Sequence, residues 1–129
     1  MKATELMIGD WVCCTFWSEP KNYQVDELKH CADNELKVVV RDIGFLIFPE
    51  KYIEPIHLTP EILEKNGLEW RGNCGMFKED TDYYLELLKE DDIIWWSVNW
   101  AEYTLIPIHY VHQLQHALRL CGIDKEIIL

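Results

Sequence analysis

The chain has 129 residues, 49% of them hydrophobic, and 23 acidic against 12 basic residues give it a formal net charge of −11. This length suffices for a core of its own, arranged as one domain or as two small lobes. The negative charge disfavours direct binding to nucleic-acid phosphates or to anionic lipid.

The same sequence features bear on cellular location. No run approaches the roughly 20 apolar residues of a membrane helix, and the N-terminal stretch "MKATELMIGDWV" lacks the pattern of a signal peptide. The five cysteines are an odd number without a Cys-x-x-Cys pair, which argues against a zinc ribbon or a redox motif. We therefore expect a cytoplasmic protein that does not associate with membranes.

Residues 1–58 are predicted to form short strands separated by turns. Apolar and polar residues alternate with a period near two in "LMIGDWVCCTFW", "NYQVDEL", "LKVVVRDIG" and "KYIEPIHL". Gly9 and Asp10 break the first run, and residues 18–22 form a polar connection to the next. An Ile-Gly-Asp-x-Val opening followed by short strands is common in SH3-like barrels, because the glycine permits a bend while its apolar neighbours face inward. We expect a five-stranded SH3-like small barrel.

A short linking helix is predicted next, over residues 59–66 of "LTPEILEKNGLEW". Thr59 can cap the helix, Pro60 suits its first position, and Gly67 can terminate it. This helix begins the second predicted lobe, residues 59–129.

The rest of the second lobe is predicted to be an antiparallel meander followed by a helix. The strands are "EWRGNCGMFK", "DYYLELLK", "DIIWWSV" and "AEYTLIP", with acidic turns at residues 79–82 and 90–92. Residues 108–121 form the strongest helical pattern, which Gly122 closes. The predicted fold class is α+β, with a small barrel, a linking helix, and an antiparallel sheet with a C-terminal helix.

Three stretches carry a resemblance that spans nearly the whole chain: "MKATELMIGDWV", "YIEPIHLTPEILEKNGL" and "YVHQLQHALRLCGIDKEIIL". Together they resemble a family of small proteins from gut bacteria and their prophages or mobile elements. The resemblance implies this order of elements and a mobile-element context, and it carries over no catalytic residues. Two positions depart from the family pattern, because Leu68 replaces a more usual phenylalanine and His116 a more usual asparagine.

The C-terminal helix contains the sequence His-Gln-Leu-Gln-His at residues 112–116, which differs by one residue from a zinc-protease motif. In that motif two histidines one turn apart hold zinc, and a glutamate beside the first takes a proton from the metal-bound water. Gln113 occupies the position of the glutamate, and a carboxamide cannot act as that base. We expect neither a metal site nor a cofactor.

The helical phase predicts where the histidines point. At about 100° per residue, His109, His112 and His116 fall within roughly 60° of one another. The opposite side carries the apolar residues of the helix, with Tyr110, Val111, Leu114, Ala117, Leu118 and Cys121 among them. The histidines are therefore expected to face away from the core, as a solvated polar face, as a partner-binding face or as a metal-binding stripe, in that order of preference.

Two adjacent tryptophans offer another candidate surface. In "DDIIWWSVNW" the alternation of a strand places Ile94, Trp96 and Val98 on one face and Trp95 on the other. The face of Trp96 is the more apolar and is predicted to point to the core, which makes Trp95 the outward residue. Trp11 and Trp17 pose the same ambiguity in the first lobe.

No nucleophile elbow, phosphate-binding loop or paired catalytic residues occur in the sequence, so we expect a binding protein and not an enzyme. The expected role is that of a protein-binding or adaptor module, tied to a prophage or mobile element, with a protein partner or self-association through Trp95, His109, His112 and His116. Two alternatives stay open. An acidic protein can imitate nucleic-acid charge and occupy a DNA-binding protein, and the helix histidines can serve a metal-dependent enzyme.

Overall fold

The computed structural model describes residues 1–32, 35–42, 44–78, 84–98 and 104–129. By its internal contacts the chain divides into two compact units, Met1–Ile56 and His57–Leu129. Each unit contains an antiparallel sheet, and the described α-helices belong to the second unit. The protein thus has an α+β fold, as predicted.

The first unit is a five-stranded sheet that curls into a half-barrel. Every strand pair in it is antiparallel, and the strand order is β4-β3-β2-β1-β5. Two short 3-10 turns precede β1 and β5, at Ala3–Glu5 and Glu50–Tyr52. The strands are β1 (Trp11–Cys14), β2 (Lys21–His30), β3 (Leu36–Arg41), β4 (Phe45–Pro49) and β5 (Ile53–Glu54).

Alternation of side chains builds the core of this unit, as the sequence pattern predicts. Val12 and Cys14 on β1 and Val38 and Val40 on β3 point inward and are fully buried. The register of β2 against β3 shifts between residues 25 and 27, and such an irregularity bends a strand and increases its twist. The remaining core residues are Ala3, Leu6, Tyr23, Val25, Phe48 and Ile53.

The second unit opens with the predicted short helix, α1 (Pro60–Lys65). The side chain of Thr59 accepts a hydrogen bond from the Ile62 N–H at 3.3 Å, and Gly67 follows the helix with a φ of +94°. Asn66, which is buried, binds the end of the chain. Its side-chain amide donates to the Ile128 carbonyl and its side-chain oxygen accepts from the Ile128 N–H, both at 2.7 Å.

The predicted meander is present as a four-stranded antiparallel sheet, in the order β6-β7-β8-β9. Asp91 and Asp92 join β7 to β8 with φ values of +48° and +63°, as a two-residue hairpin requires. The acidic turn predicted at residues 79–82 lies outside the described residues. The strands are β6 (Cys74–Lys78), β7 (Tyr84–Glu90), β8 (Ile93–Val98) and β9 (Thr104–Ile108).

One face of this sheet is buried, and the register shows which residues share it. These residues are Phe77, Leu85, Leu87, Ile94 and Ile108. Gly75 lies on the same face, where a Cβ atom would come within 2.9 Å of the Leu68 side chain. A glycine at this position therefore lets Leu68 pack directly over β6.

The C-terminal helix is α2 (Val111–Leu120). Its structure confirms that the apolar residues face the core but contradicts the prediction for one of the histidines. Val111, Leu114, Ala117 and Leu118 are buried, as expected. His112 is also buried, with 3% of its surface exposed, so the prediction that all three helix histidines face away from the core is wrong for His112. The helix buries a stripe wider than the apolar residues alone indicate, since Gln115 is buried too and the ring of Tyr110 stacks on His112.

Candidate functional site

Two groups of aromatic rings are the candidate sites, one in each unit. The first, which we call the histidine–tyrosine cluster, lies at the start of α2. Its members are His57, His109, Tyr110, His112 and His116.

Ring contacts connect the members of the histidine–tyrosine cluster in series. The ring of Tyr110 lies 5.2 Å from that of His57 and 5.8 Å from that of His112, with the planes of Tyr110 and His112 only 9° apart. His116 follows at 5.6 Å from His112, and His109 lies 6.2 Å from Tyr110. Tyr110 is thus the central ring of the series.

The position of His57 is a correction to the sequence analysis, in which residue 57 belongs to the first lobe. The backbone of His57 forms a β-bridge with that of Tyr110, and the Leu58 N–H donates to the His109 carbonyl at 2.9 Å. Residues 57 and 58 therefore pack beside the start of α2, and this contact belongs to the second unit. Bridges between residues so far apart in the chain leave no local sequence signal.

Gln113 has a structural role, which answers the question raised by the protease-like motif. Its side-chain oxygen accepts hydrogen bonds from the N–H groups of His109, at 2.8 Å, and Tyr110, at 3.2 Å. The amide thereby satisfies backbone donors at the helix start. Among the described residues, no group of three or more histidine, cysteine or acidic side chains could hold a metal ion.

Trp95 lies on the opposite sheet face to the buried one. It pairs with Leu88 on β7 and Pro107 on β9, whereas Trp96 pairs with the fully buried Leu87. Both tryptophans are partly buried. The structure brings Trp95 into no described ring contact with the histidine–tyrosine cluster, and the partner-binding roles of Trp95, His109, His112 and His116 stay predictions.

The second group of rings, which we call the aromatic surface, consists of Phe16, Trp17, Phe48 and Tyr52 in the first unit. Phe16 and Trp17 follow β1, in its connection to β2, and Tyr52 ends the 3-10 turn before β5. Phe48 lies beneath them in the core. The sequence pattern leaves the role of Trp17 open and does not predict that Phe16 and Tyr52 lie beside it.

Three ring pairs of the aromatic surface meet edge to face. Phe16 lies 5.0 Å from Trp17 and 5.1 Å from Tyr52, with interplanar angles of 87° and 88°. Trp17 also meets Phe48 at 6.5 Å and 86°. Perpendicular pairs of this kind are favourable because the positive edge of one ring meets the negative face of the next.

Backbone hydrogen bonds hold the loop of Phe16 against the turn of Tyr52. The N–H and the hydroxyl of Thr15 both donate to the Tyr52 carbonyl, at 2.8 and 3.2 Å. The ammonium of Lys51 lies 5.0 Å from the centre of the Tyr52 ring. Phe16 and Trp17 nevertheless stay open to solvent, with 52% and 41% of their surfaces exposed.

The exposed pair is the feature that separates this site from a packed core. A large aromatic side chain that is exposed beside others forfeits much of the free energy that its burial would provide. The adjacent Phe-Trp of residues 16 and 17, next to the turn residues Ser18 and Pro20, is the sequence signal that could have indicated the site.

Comparisons with models of protein families, with curated proteins and with solved structures found no match for this chain. Within the described residues, no helix is long and apolar enough to cross a membrane.

Proposed function

We propose that the protein is a non-enzymatic, cytoplasmic protein-binding module whose first unit is an SH3-like barrel, and that its aromatic surface binds an extended, proline-containing segment of a partner protein. The observation that carries this proposal is the exposed pair Phe16 and Trp17, held beside Tyr52. The mobile-element context, carried by the sequence resemblance alone, is part of the same proposal.

The strand order of the first unit supports the SH3-like part of the proposal. Four antiparallel strands, β1 to β4, each pair with the next along the chain, and the fifth strand, β5, returns to pair with β1 through Cys13 with Glu54 and Cys14 with Ile53. A 3-10 turn, Glu50–Tyr52, precedes β5. Small barrels of this kind use side chains from their loops to bind ligands, because the strands hold the loops in fixed positions.

The chemistry of the aromatic surface suits a polyproline II segment. Such a segment is extended before it binds and makes no internal hydrogen bonds, so it loses little conformational entropy on binding. Its proline rings pack against clustered aromatic rings, and Phe16 meets Trp17 and Tyr52 at interplanar angles of 87° and 88°.

Charge favours basic residues beside the prolines of the ligand. Residues 1–56 contain ten acidic and six basic side chains, and the loop after β1 carries Glu19 close to the exposed pair in sequence. Opposite charge on the partner would speed association and exclude acidic competitors. The described residues favour neither the acidic decoy of a DNA-binding protein nor the metal-dependent enzyme over this function. Acidic residues occur in both units, and the described residues contain no cluster of three metal ligands.

Titration calorimetry with a polyproline peptide that carries an arginine at each end tests the proposal. Truncating an anchoring tryptophan typically costs 2 kcal/mol or more, so we expect Trp17→Ala to weaken binding by about 30-fold or more. Phe45→Ala is the matched control, because Phe45 is an exposed aromatic residue of the same unit on β4. Absence of binding, or equal binding by the wild-type protein and Trp17→Ala, would contradict the proposal.

A further inference from the structure

β6 is an edge strand of the second sheet, and its hydrogen-bonding pattern shows which backbone groups are open. The N–H and C=O of Cys74 bond to Arg71, at 3.3 and 2.7 Å, on the side away from β7. Backbone groups of alternate residues in an antiparallel strand point to the same side. The N–H and C=O groups of Met76 and Lys78 therefore point away from β7 as well.

These four groups have no backbone partner within the part of the chain that the structure describes. The preceding segment, residues 67–71, is joined to β6 by the bonds between Arg71 and Cys74 and then diverges from the strand. The divergence leaves a cleft between this segment and the edge of β6.

Two adjoining cavities make up the cleft. The first, of about 360 Å³, lies between the strand and residues 67–71, and Glu86 completes its lining. The second, of about 300 Å³, continues along the strand to Ile123 and Lys125. Gly67, Met76 and Lys78 line both cavities, so the two are continuous along the open edge. The first cavity reaches the Arg71–Cys74 turn, and the second reaches Lys125.

We infer that this cleft binds an extended, uncharged peptide segment of a partner protein, which adds to the sheet as a strand antiparallel to β6. An added strand lies about 4.8 Å from its neighbour and bonds to every second residue of the edge, which matches the spacing of Met76 and Lys78. Antiparallel pairing is the more stable orientation per residue.

The charges of the cleft specify the chemistry of the segment. Its first cavity carries two acidic side chains, Glu69 and Glu86, and two basic ones, Arg71 and Lys78. This balanced set favours neither an acidic nor a basic ligand, so backbone hydrogen bonds provide the affinity.

This site lies in the second unit and is independent of the aromatic surface in the first. Its test uses a random-peptide phage library selected on the full-length Trp17→Ala variant, which removes the aromatic anchor from the selection. Selected peptides are then synthesised and titrated against the wild-type protein, Trp17→Ala and Met76→Pro. Proline removes one open N–H of β6, and edge strands tolerate it where that N–H does not face the sheet.

We expect the selected peptides to bind the wild-type protein and Trp17→Ala equally and Met76→Pro about tenfold or more weakly. Bound peptide should also slow amide hydrogen exchange at Met76 and Lys78. A polyproline peptide, by contrast, should bind Met76→Pro as well as the wild-type protein and Trp17→Ala more weakly. A library without binders, equal binding by Met76→Pro, or unprotected amides at Met76 and Lys78 would overturn the inference.

A second measurement leaves the protein unchanged, in case Met76→Pro fails to fold. The selected peptide is made in two forms, with N-methyl groups on its odd or on its even residues. Because an added strand turns alternate N–H groups toward β6, one form should lose binding and the other should keep it. Equal binding of the two forms would exclude strand addition.

Discussion

The aromatic surface of the first unit and the histidine–tyrosine cluster of the second are both series of rings in contact, yet they differ in exposure. Phe16 and Trp17 stand about half open to solvent, whereas His112 is almost completely enclosed. One polar ring, His112, is thus buried in the second unit while two apolar rings are exposed in the first. Burial therefore follows from what packs over a residue, and hydrophobicity is only one of its determinants.

The elements that carry the rings explain the difference. Phe16 and Trp17 lie in a loop that follows β1, and the described ring contacts that support them, from Phe48 and Tyr52, approach from the core side and the neighbouring turn. His112 lies in the first turn of α2, where Tyr110 stacks on it and His57 lies beyond Tyr110. The first arrangement suits binding, and the second suits a structural contact between distant segments.

Truncating one buried side chain in each unit should have the largest effects. We expect Phe48→Ala to lower the free energy of unfolding by about 3–5 kcal/mol and Leu114→Ala by about 2–5 kcal/mol, because each leaves a cavity in its core. Urea unfolding followed by circular dichroism measures both values. A change below about 1 kcal/mol for Leu114→Ala would show that the inward side of α2 is misplaced.

His112→Ala should have the next largest effect, with a loss of about 1–3 kcal/mol in the free energy of unfolding. The substitution removes a buried ring and its stacking with Tyr110. His109→Ala is the matched control, because His109 is exposed and should change stability by about 0.5 kcal/mol or less. Equal losses for the two variants would remove the distinction between the buried and the exposed members of the cluster.

Trp17→Ala should alter stability by only about 0.5 kcal/mol, far less than Phe48→Ala in the same unit, because 41% of the Trp17 surface is exposed whereas Phe48 is buried. The same urea experiment measures it. A loss comparable to that of Phe48→Ala would identify Trp17 as a core residue. The contrast between the two units would then fail, and with it the support for a binding surface.

The smallest expected effect concerns thiol chemistry and leaves stability unchanged. Burial, with a lesser contribution from the Glu54 charge, raises the pKa of Cys13, and burial raises the pKa of Cys121. A raised pKa lowers the thiolate fraction at a given pH, and the thiolate is the reactive form. Near neutral pH, iodoacetamide should modify the exposed Cys74 first and these two cysteines later, as mass spectrometry of timed samples would show.

The raised pKa values also determine how the alkylation rates of Cys13 and Cys121 depend on pH. Alkylation of Cys13 and Cys121 should accelerate only as the pH rises above the ordinary range of a thiol, since both groups keep their protons longer in the folded state. If Cys13 reacts as fast as Cys74 near neutral pH, the packing around β1 and β5 is looser than the structure shows.

Local sequence signals predicted the parts of the fold that depend on neighbouring residues. Thr59, Pro60 and Gly67 mark the ends of α1, and Asp91 with Asp92 mark the hairpin between β7 and β8, because each acts through backbone geometry within a few residues. The buried positions of the apolar residues of α2 were also predictable from the sequence. The period of the side chains sufficed for these assignments.

Contacts between distant segments were not predictable in the same way. The sequence pattern predicts His57 in the first lobe and His112 on a side of α2 that faces away from the core. In the structure His57 pairs with Tyr110, and the buried amide of Asn66 holds Ile128 through two hydrogen bonds. Nothing in the sequence around Asn66 indicates that its hydrogen-bond partner lies 62 positions away.

By itself, the sequence determined the α+β class, the alternation that forms both sheets, the capped helix α1 and the apolar side of α2, since these follow from propensity and periodicity. Only the tertiary structure decided that Phe16 and Tyr52 meet beside Trp17, that His112 is buried, and that the edge of β6 opens onto a cleft. Such features depend on which segments come to lie side by side, and the free energy that brings them together is summed over the whole chain.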